Sequence, residues 1–104
     1  MTIRSLVVDT DTASDDAVAL VLAALDPTVE IRMVTVVAGN VPLELAVRNA
    51  ITTLDVVDKG SVPVHAGAKR PLKRPLETAQ FVHGEDGMGS ADLPLPTRGP
   101  DSED

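Results

Sequence analysis

The sequence contains no cysteine, so it can form neither a disulfide bond nor a thiolate metal site. Tryptophan and tyrosine are also absent, and Phe81 is the only aromatic residue. Whether Phe81 packs under a loop or in the core is left open by its neighbours. The lack of cysteine is compatible with a reducing compartment, and we expect a cytoplasmic protein.

Positive charge is scarce as well. The 104 residues include 9 Lys and Arg against 16 Asp and Glu, a formal net charge of −7. This balance argues against nucleic acid or an anionic membrane as a partner, because both bind mainly through Lys and Arg. A chain of this size and composition suits one small globular domain that binds a metal ion or a neutral substrate.

No apolar run is long enough to span a membrane. The longest, A-V-A-L-V-L-A-A-L at residues 17–25, has about half of the ~20 residues that a span needs. Residues 1–8 hold too short an apolar run for a signal peptide. We therefore predict that residues 17–25 belong to a buried helix.

Apolar patterning predicts alternating strands and helices over residues 1–66. Strands are expected at residues 3–8, 31–37 and 62–66, the first of them buried because it ends in a β-branched apolar run, and helices at 14–25 and about 42–59, the second ended by Gly60. This order with short connections predicts an α/β fold with a parallel sheet and flanking helices. Residues 67–104 hold most of the eight prolines and are expected to be loop-rich, with a disordered end, P-D-S-E-D.

Three strands and two helices are too few to close such a fold. A parallel sheet needs both faces covered, and this set leaves sheet edges and apolar surface open. We therefore predict the N-terminal part of a larger, Rossmann-like open sheet.

Four aspartates fall within D-T-D-T-A-S-D-D, where the first strand meets the first helix. Asp9 and Asp11 can point the same way from an extended segment, and Asp15 and Asp16 lie in the first helical turn. A hard cation such as Ca²⁺ or Mg²⁺ would relieve their repulsion. The alternative, in which Ser14 or Asp15 caps the helix and the others are solvated, explains only one or two of the four.

Three known motifs can be compared with this stretch. An EF-hand loop that starts at Asp9 needs Gly and Glu where Ser14 and Leu20 stand, and a dinucleotide fingerprint needs glycines that are absent. L-V-V-D-T-D-T does satisfy the D-x-D-x-T motif of aspartate-based phosphohydrolases, with Asp9 as nucleophile and Asp11 as acid/base. That alternative leaves Asp15 and Asp16 unexplained.

The stretch V-V-D-T-D-T-A-S-D-D-A-V-A-L resembles the N-terminal signature of the inosine-uridine-preferring nucleoside hydrolases, D-T-D-x-x-x-D-D-A-x-A. Two later stretches resemble the same family in the right order: V-T-V-V-A-G-N-V-P-L-E-L-A-V-R-N-A, and V-P-V-H-A-G-A-K-R-P-L followed by V-H-G-E-D-G-M-G. The resemblance implies an incomplete nucleoside hydrolase fold and a Ca²⁺-dependent enzyme that hydrolyses a ribonucleoside to ribose and base. The phosphohydrolase alternative accounts only for the first stretch.

The resemblance also implies roles for individual residues. Asp11 would bind Ca²⁺ and act as general base toward water, and Asp16 would be a second metal ligand. Asp9 would support the metal site without contacting the metal itself. Asp15 would hydrogen-bond a ribose hydroxyl, and Asn40 would contact the ribose or the metal shell. Carboxylates suit this chemistry because glycosidic cleavage passes through an oxocarbenium-like state.

Further residues are placed by the same resemblance. His83 lies in H-G-E-D-G-M-G, whose glycines suit a mobile lid. By the resemblance it would touch the nucleobase, and the alternative is an ordinary surface histidine. His65 is expected to be structural, and the run G-A-K-R-P-L-K-R-P-L a solvated basic loop. This sequence departs from many family members at Thr12 and Ala13, where they have Pro-Gly.

The family continues well beyond 104 residues, and its later part supplies a further Asp ligand, a carbonyl ligand and more ribose contacts. Three possibilities therefore stay open. The chain is the N-terminal part of a nucleoside hydrolase, or a non-catalytic truncated chain or subunit that needs a separate C-terminal half, or a Mg²⁺-dependent phosphohydrolase. A homo-oligomer is the alternative to a missing C-terminal half as its partner.

Overall fold

The structure is a computed structural model that describes residues 2–73, 75–89, 96 and 98–102. Its three strands form one parallel sheet in the order β1-β2-β3, so the predicted α/β class and open parallel sheet are confirmed. Within the described residues, no helix is long and apolar enough to cross a membrane. The elements are β1 (Arg4–Thr10), α1 (Ser14–Leu25), β2 (Val29–Val36), α2 (Leu43–Val56), β3 (Val64–Ala66) and α3 (Gln80–His83).

The register of the sheet brings the carboxyl ends of β1 and β2 to the same level. Pairing runs from Arg4 with Val29 to Thr10 with Val36, with one irregularity between Leu6 and Val7. Parallel strands in register leave their C-terminal turns side by side, and ligands of open α/β sheets bind there. The turn that carries the first aspartates therefore lies beside the Gly39-Asn40 turn.

The core lies between α2 and the sheet. Helix α2 turns an apolar face toward β2 and β3, as its spacing of Leu, Ala, Val and Ile predicts. The core comprises Leu20, Val34, Val36, Val41, Leu43, Ala46, Val47, Ala50, Ile51, Leu54, Val64 and Ala66.

Helix α2 ends earlier than the end predicted from Gly60. The helix stops at Val56, and Asp58 takes the left-handed conformation, with φ 62°. Lys59 N–H donates to Leu54 O at 2.8 Å and Asp58 N–H to Asp55 O at 3.1 Å, the two bonds of a Schellman motif. The expected end at Gly60 is therefore wrong, because Asp tolerates this backbone conformation better than most residues.

Two elements predicted to be buried are exposed. Val7 of β1 is 59% exposed, and on α1 Val18 and Leu22 are 61% and 68% exposed, although Ala17 and Leu20 are buried. β1 lies at the edge of the described sheet with only β2 beside it, and in the part of the chain that the structure describes these side chains of β1 and α1 are left uncovered. Apolar patterns typical of interior elements are thus left uncovered in this chain.

The C-terminal part of the described chain contacts β3. Asp101 N–H donates to Val64 O at 2.6 Å, and Ala66 N–H donates to Ser102 O at 2.8 Å. Ser102 forms a parallel bridge with His65. The expected disorder is therefore not found at Asp101 and Ser102, because hydrogen-bonding groups on the β3 edge pair with them. Glu103 and Asp104 lie outside the described residues, so the expectation for them stays a prediction.

Candidate metal and ribose site

Asp11 lies directly after β1 and against the turn that follows β2. Its Oδ2 accepts a hydrogen bond of 2.9 Å from the backbone N–H of Asn40. The carboxylate packs so closely on Gly39 that a Cβ there would lie 2.8 Å from the Asp11 Cβ. Glycine at position 39 is therefore what admits the Asp11 side chain to this place.

Asp16 approaches the same place from the first turn of α1. Its Oδ2 accepts a hydrogen bond of 2.7 Å from the hydroxyl of Thr10. The helix is capped by Ala13, and no side chain makes a capping hydrogen bond. The alternative in which Ser14 or Asp15 caps α1 is therefore wrong, and helix capping does not explain this aspartate cluster.

The carboxyl groups of Asp11 and Asp16 lie close enough to share a hydrogen bond. Burial raises the pKa of Asp16, and the neighbouring charges of Asp11 and Asp15 raise it further, against the opposing hydrogen bond from Thr10. Burial also acts to raise the pKa of Asp11, but its hydrogen bonds, chiefly with Asp16 and the Asn40 N–H, lower the pKa overall. Such opposite shifts are typical of two carboxyl groups that share one small volume.

The other two aspartates are placed differently. Asp9 is exposed, and its Oδ1 accepts a hydrogen bond of 2.7 Å from Thr35 on β2. Asp15 is exposed at the start of α1 and acts on Asp16 through its charge. The structure thus joins Asp11 and Asp16 directly and leaves Asp9 and Asp15 around them.

The donor set fits a hard cation but does not complete a site. Two carboxylates in contact, one with a raised pKa, are the oxygen ligands and the repulsion that Ca²⁺ or Mg²⁺ would satisfy. Among residues 2–73, 75–89, 96 and 98–102, no group of three or more Asp, Glu or His side chains is arranged to hold a metal. Asp11 and Asp16 therefore form part of a ligand set.

Residues 79–89, here called the lid, reach this site through His83. The ring Nδ1 of His83 lies 2.9 Å from the hydroxyl of Ser14, and a charge on His83 would lower the pKa of Asp11. Gly84 and Gly87 have φ of 88° and 80°, values that other residues adopt only with strain. The glycines thus allow the turns that follow His83 in the lid, while the His83 ring contacts Ser14 beside the aspartates.

Two further contacts hold the lid. Ala79 N–H donates to Asn40 O at 2.6 Å. The carboxamide of Asn49, which is 4% exposed on α2, donates to Thr12 O at 3.0 Å and to Asp86 O at 2.7 Å. Asn49 was not predicted as a site residue, although a lone carboxamide within the apolar face of a helix is a usable signal, because buried amides need partners.

The remaining predicted residues lie apart from these contacts. His65 Nδ1 lies 2.7 Å from the hydroxyl of Ser102, which agrees with the structural role expected for it. In the basic loop, Lys69, Arg70 and Lys73 are exposed. Arg74 and the side chain of Phe81 lie outside the described part of the chain, so the predictions for them stay predictions.

Known nucleoside hydrolases resemble this chain in sequence and in fold. A pyrimidine-specific ribonucleoside hydrolase, RihA, from Klebsiella pneumoniae is 41% identical over 95 residues, which are 91% of this chain and 30% of that protein. The plant nucleoside hydrolase PpNRh1 superposes with a TM-score of 0.86 at 33% identity, over 93% of this chain and 31% of its own. A purine-preferring ribonucleoside hydrolase from Gardnerella vaginalis gives 0.84 at 30% identity, over 96% and 33%.

The matched region is the N-terminal part of the RihA enzymes, and the chain spans about 30% of the length of the curated relatives it matches. The sequence model of the inosine-uridine preferring nucleoside hydrolases matches residues 6–104, which include all three stretches of resemblance. The phosphohydrolase alternative explains only the first of them. The chain therefore belongs to the inosine-uridine-preferring nucleoside hydrolase family.

Proposed function

We propose that this chain supplies the metal-binding and ribose-binding part of a Ca²⁺-dependent nucleoside N-ribohydrolase. The observation that carries the proposal is the contact between Asp11 and Asp16, at the carboxyl end of β1 and the start of α1. Helix capping does not account for this contact, and its oxygen ligands suit a hard cation. The substrate class is a ribonucleoside, with no base assigned, because the relatives include a pyrimidine-specific and a purine-preferring enzyme.

In this proposal Asp11 and Asp16 hold Ca²⁺. Asp9 supports them indirectly, because its hydrogen bond from Thr35 joins the end of β1 to β2. When bound, Ca²⁺ would lower the pKa of water and anchor the ribose diol. Asp11 takes the proton of the attacking water. Its lowered pKa makes it a weaker base for this step than a carboxylate with a higher pKa would be. The Asn40 N–H keeps the Asp11 carboxylate oriented for this proton transfer.

The other residues act on the substrate. Asp15, which is exposed beside Asp16, accepts a hydrogen bond from a ribose hydroxyl, and the carboxamide of Asn40 contacts the same sugar. His83 approaches from the lid and contacts the nucleobase. The carboxylates also stabilise the positive charge that develops on the sugar when the N-glycosidic bond breaks.

Calorimetry and an activity assay test this proposal. We expect weak Ca²⁺ binding by the 104-residue chain and little or no release of ribose from inosine or uridine. Asp16→Asn should abolish the binding, because it replaces a ligand that is charged. The matched control is Asp26→Asn at the other end of α1, where the carboxylate accepts hydrogen bonds from Thr28 and Ca²⁺ affinity should not change.

Two results would contradict the site assignment. One is full hydrolysis of nucleosides by this chain in the presence of a chelator. The other is equal loss of Ca²⁺ binding in Asp16→Asn and Asp26→Asn, since that would show a non-specific effect of charge. The cytoplasmic location stays a prediction, for which fractionation of cells is the measurement.

A second candidate function is that of a non-catalytic subunit that needs a partner carrying the C-terminal part of the fold. The exposed apolar residues of β1 and α1 favour it, together with a groove of about 310 Å³ between α1 and α2 that is lined mainly by apolar side chains. Sedimentation over a range of concentrations tests it. Association, as a homo-oligomer or with an added C-terminal part, is expected; a compact and stable monomer would contradict it.

A further inference from the structure

His83 and Ser14 join the lid to the first turn of α1, although 69 residues separate them in the sequence. Ser14 is the first residue of α1 and directly precedes Asp15 and Asp16. His83 is the last residue of α3, and the chain turns at Gly84 immediately after it. The hydrogen bond of 2.9 Å between the Ser14 hydroxyl and His83 Nδ1 therefore fixes the ring at the point where lid and aspartates meet.

The contact is specific to one ring nitrogen. Nδ1 is engaged with Ser14, so among the described residues Nε2 is the nitrogen of His83 that remains for a ligand. A serine hydroxyl can donate or accept, and it can therefore pair with either neutral tautomer of the ring. Nε2 can then offer a donor or an acceptor while the ring keeps one orientation.

We propose that Ser14 is a positioning residue that holds His83 toward the nucleobase, an inference that rests on the proposed function. Without the Ser14 hydroxyl, the ring is free to rotate, and the nucleobase must order it on binding. One ordinary hydrogen bond corresponds to a factor of about two to ten in an equilibrium constant. Removal of the hydroxyl should therefore weaken nucleoside binding by about two- to tenfold and leave ribose binding unchanged.

The chain offers a matched control for this contact. Its only two histidines each have Nδ1 against a serine hydroxyl: His83 with Ser14 at 2.9 Å, and His65 with Ser102 at 2.7 Å. Ser14→Ala and Ser102→Ala therefore remove the same kind of hydrogen bond at two places. Ser14→Thr keeps a hydroxyl at position 14 and serves as the conservative variant.

The first measurement is NMR of the imidazole nitrogens with amide hydrogen exchange of the lid. Ser14→Ala should shift the His83 nitrogens and reduce protection around residue 83, while the bonds of Ala79 and Asp86 keep the rest of the lid in place. Ser102→Ala should move only the His65 signals, and Ser14→Thr should resemble the unmodified chain. Unchanged His83 signals in Ser14→Ala would overturn the inference, as would equal changes at both histidines.

The second measurement is titration with inosine, uridine and ribose in the presence of Ca²⁺. Ser14→Ala should raise the Kd of the two nucleosides by about two- to tenfold, without a change for ribose. An equal loss for ribose and nucleosides would overturn the role of Ser14 and leave the proposed function standing. Failure of the unmodified chain to bind any of the three would instead refute the proposed function of this chain, and the inference with it.

Discussion

Asn49→Ala should release the lid from the aspartate loop, because a single carboxamide bonds both. The side chain is 4% exposed and donates to Thr12 O and Asp86 O at 3.0 and 2.7 Å. Each lost hydrogen bond costs about 0.5–1.5 kcal/mol, and an acceptor left buried without a partner costs more. We expect the free energy of unfolding to fall by about 2–3 kcal/mol, which corresponds to a Tm lower by about 10–20 °C for a chain of this size.

Urea unfolding and amide hydrogen exchange measure the two consequences. Thr53→Val is the matched control, since Thr53 is also buried on α2 but its hydroxyl donates only to Asn49 O, at 2.7 Å. The control should cost about 1 kcal/mol and leave exchange in the lid unchanged relative to the global stability. In Asn49→Ala the lid amides should exchange through a separate local opening.

Asn49→Asp refines the same test. A carboxylate in place of the carboxamide would face two carbonyl oxygens, so Asp should destabilise the chain more than Ala at neutral pH. Protonation would give the side chain one O–H donor, and the difference should shrink in acid. If Asn49→Ala and Thr53→Val cost the same and lid exchange is alike in both, the reasoning about this bridge is refuted.

Three further predictions concern the turns around the site. Gly39→Ala should displace the Asp11 carboxylate and weaken Ca²⁺ binding roughly tenfold. Gly99→Ala should have no effect, because a Cβ at position 99 would have open space around it. Equal Ca²⁺ affinities of the two variants in calorimetry would refute the role of Gly39. Ca²⁺ affinity should fall as pH drops toward the raised pKa of Asp16, because protons compete with the metal for its carboxylate. Without metal, protonated Asp16 adds to the free energy of unfolding. This contribution is complete below pH 3.8 and is lost as pH rises through the raised pKa of Asp16. Asp16→Asn should remove that loss in urea unfolding, and an unchanged pH profile would contradict this. Asp58→Gly should stabilise the chain by about 1 kcal/mol, because a left-handed backbone costs an L-residue about 1–2 kcal/mol and glycine adopts a φ of 62° without strain. A lower urea midpoint would contradict the assignment of the helix end.

Local patterns predicted the elements that depend on neighbours in the sequence. Helix α1 spans Ser14–Leu25, the same residues as its apolar and acidic pattern predicted, and the three strands were placed to within two residues at each end. The end of α2 was missed, because the rule that favours glycine does not weigh the tolerance of Asp58 for a left-handed backbone. Burial of β1 was also missed, since burial depends on which other elements the chain contains.

The candidate site was likewise predicted only where it depends on residues that are close in the sequence. Spacing in D-T-D-T-A-S-D-D predicted a cluster of carboxylates, and the fold brings Asp11 and Asp16 into contact. Sequence distance hid the contacts that support them: Asn40 reaches Asp11 because two strand ends meet, and Ser14 reaches His83 across 69 residues. Such pairs depend on the topology of the chain, which local periodicity does not encode.

Strand β1 has a consequence for the behaviour of the chain in solution. Edge strands of stable domains usually carry a Lys, a Pro or an inward-pointing charge, which prevents a second strand from adding. β1 reads R-S-L-V-V-D-T, and its central residues offer none of these protections. At high concentration β1 should template irreversible aggregation. How long this chain stays monomeric in solution therefore depends more on what covers β1 than on the stability of the core.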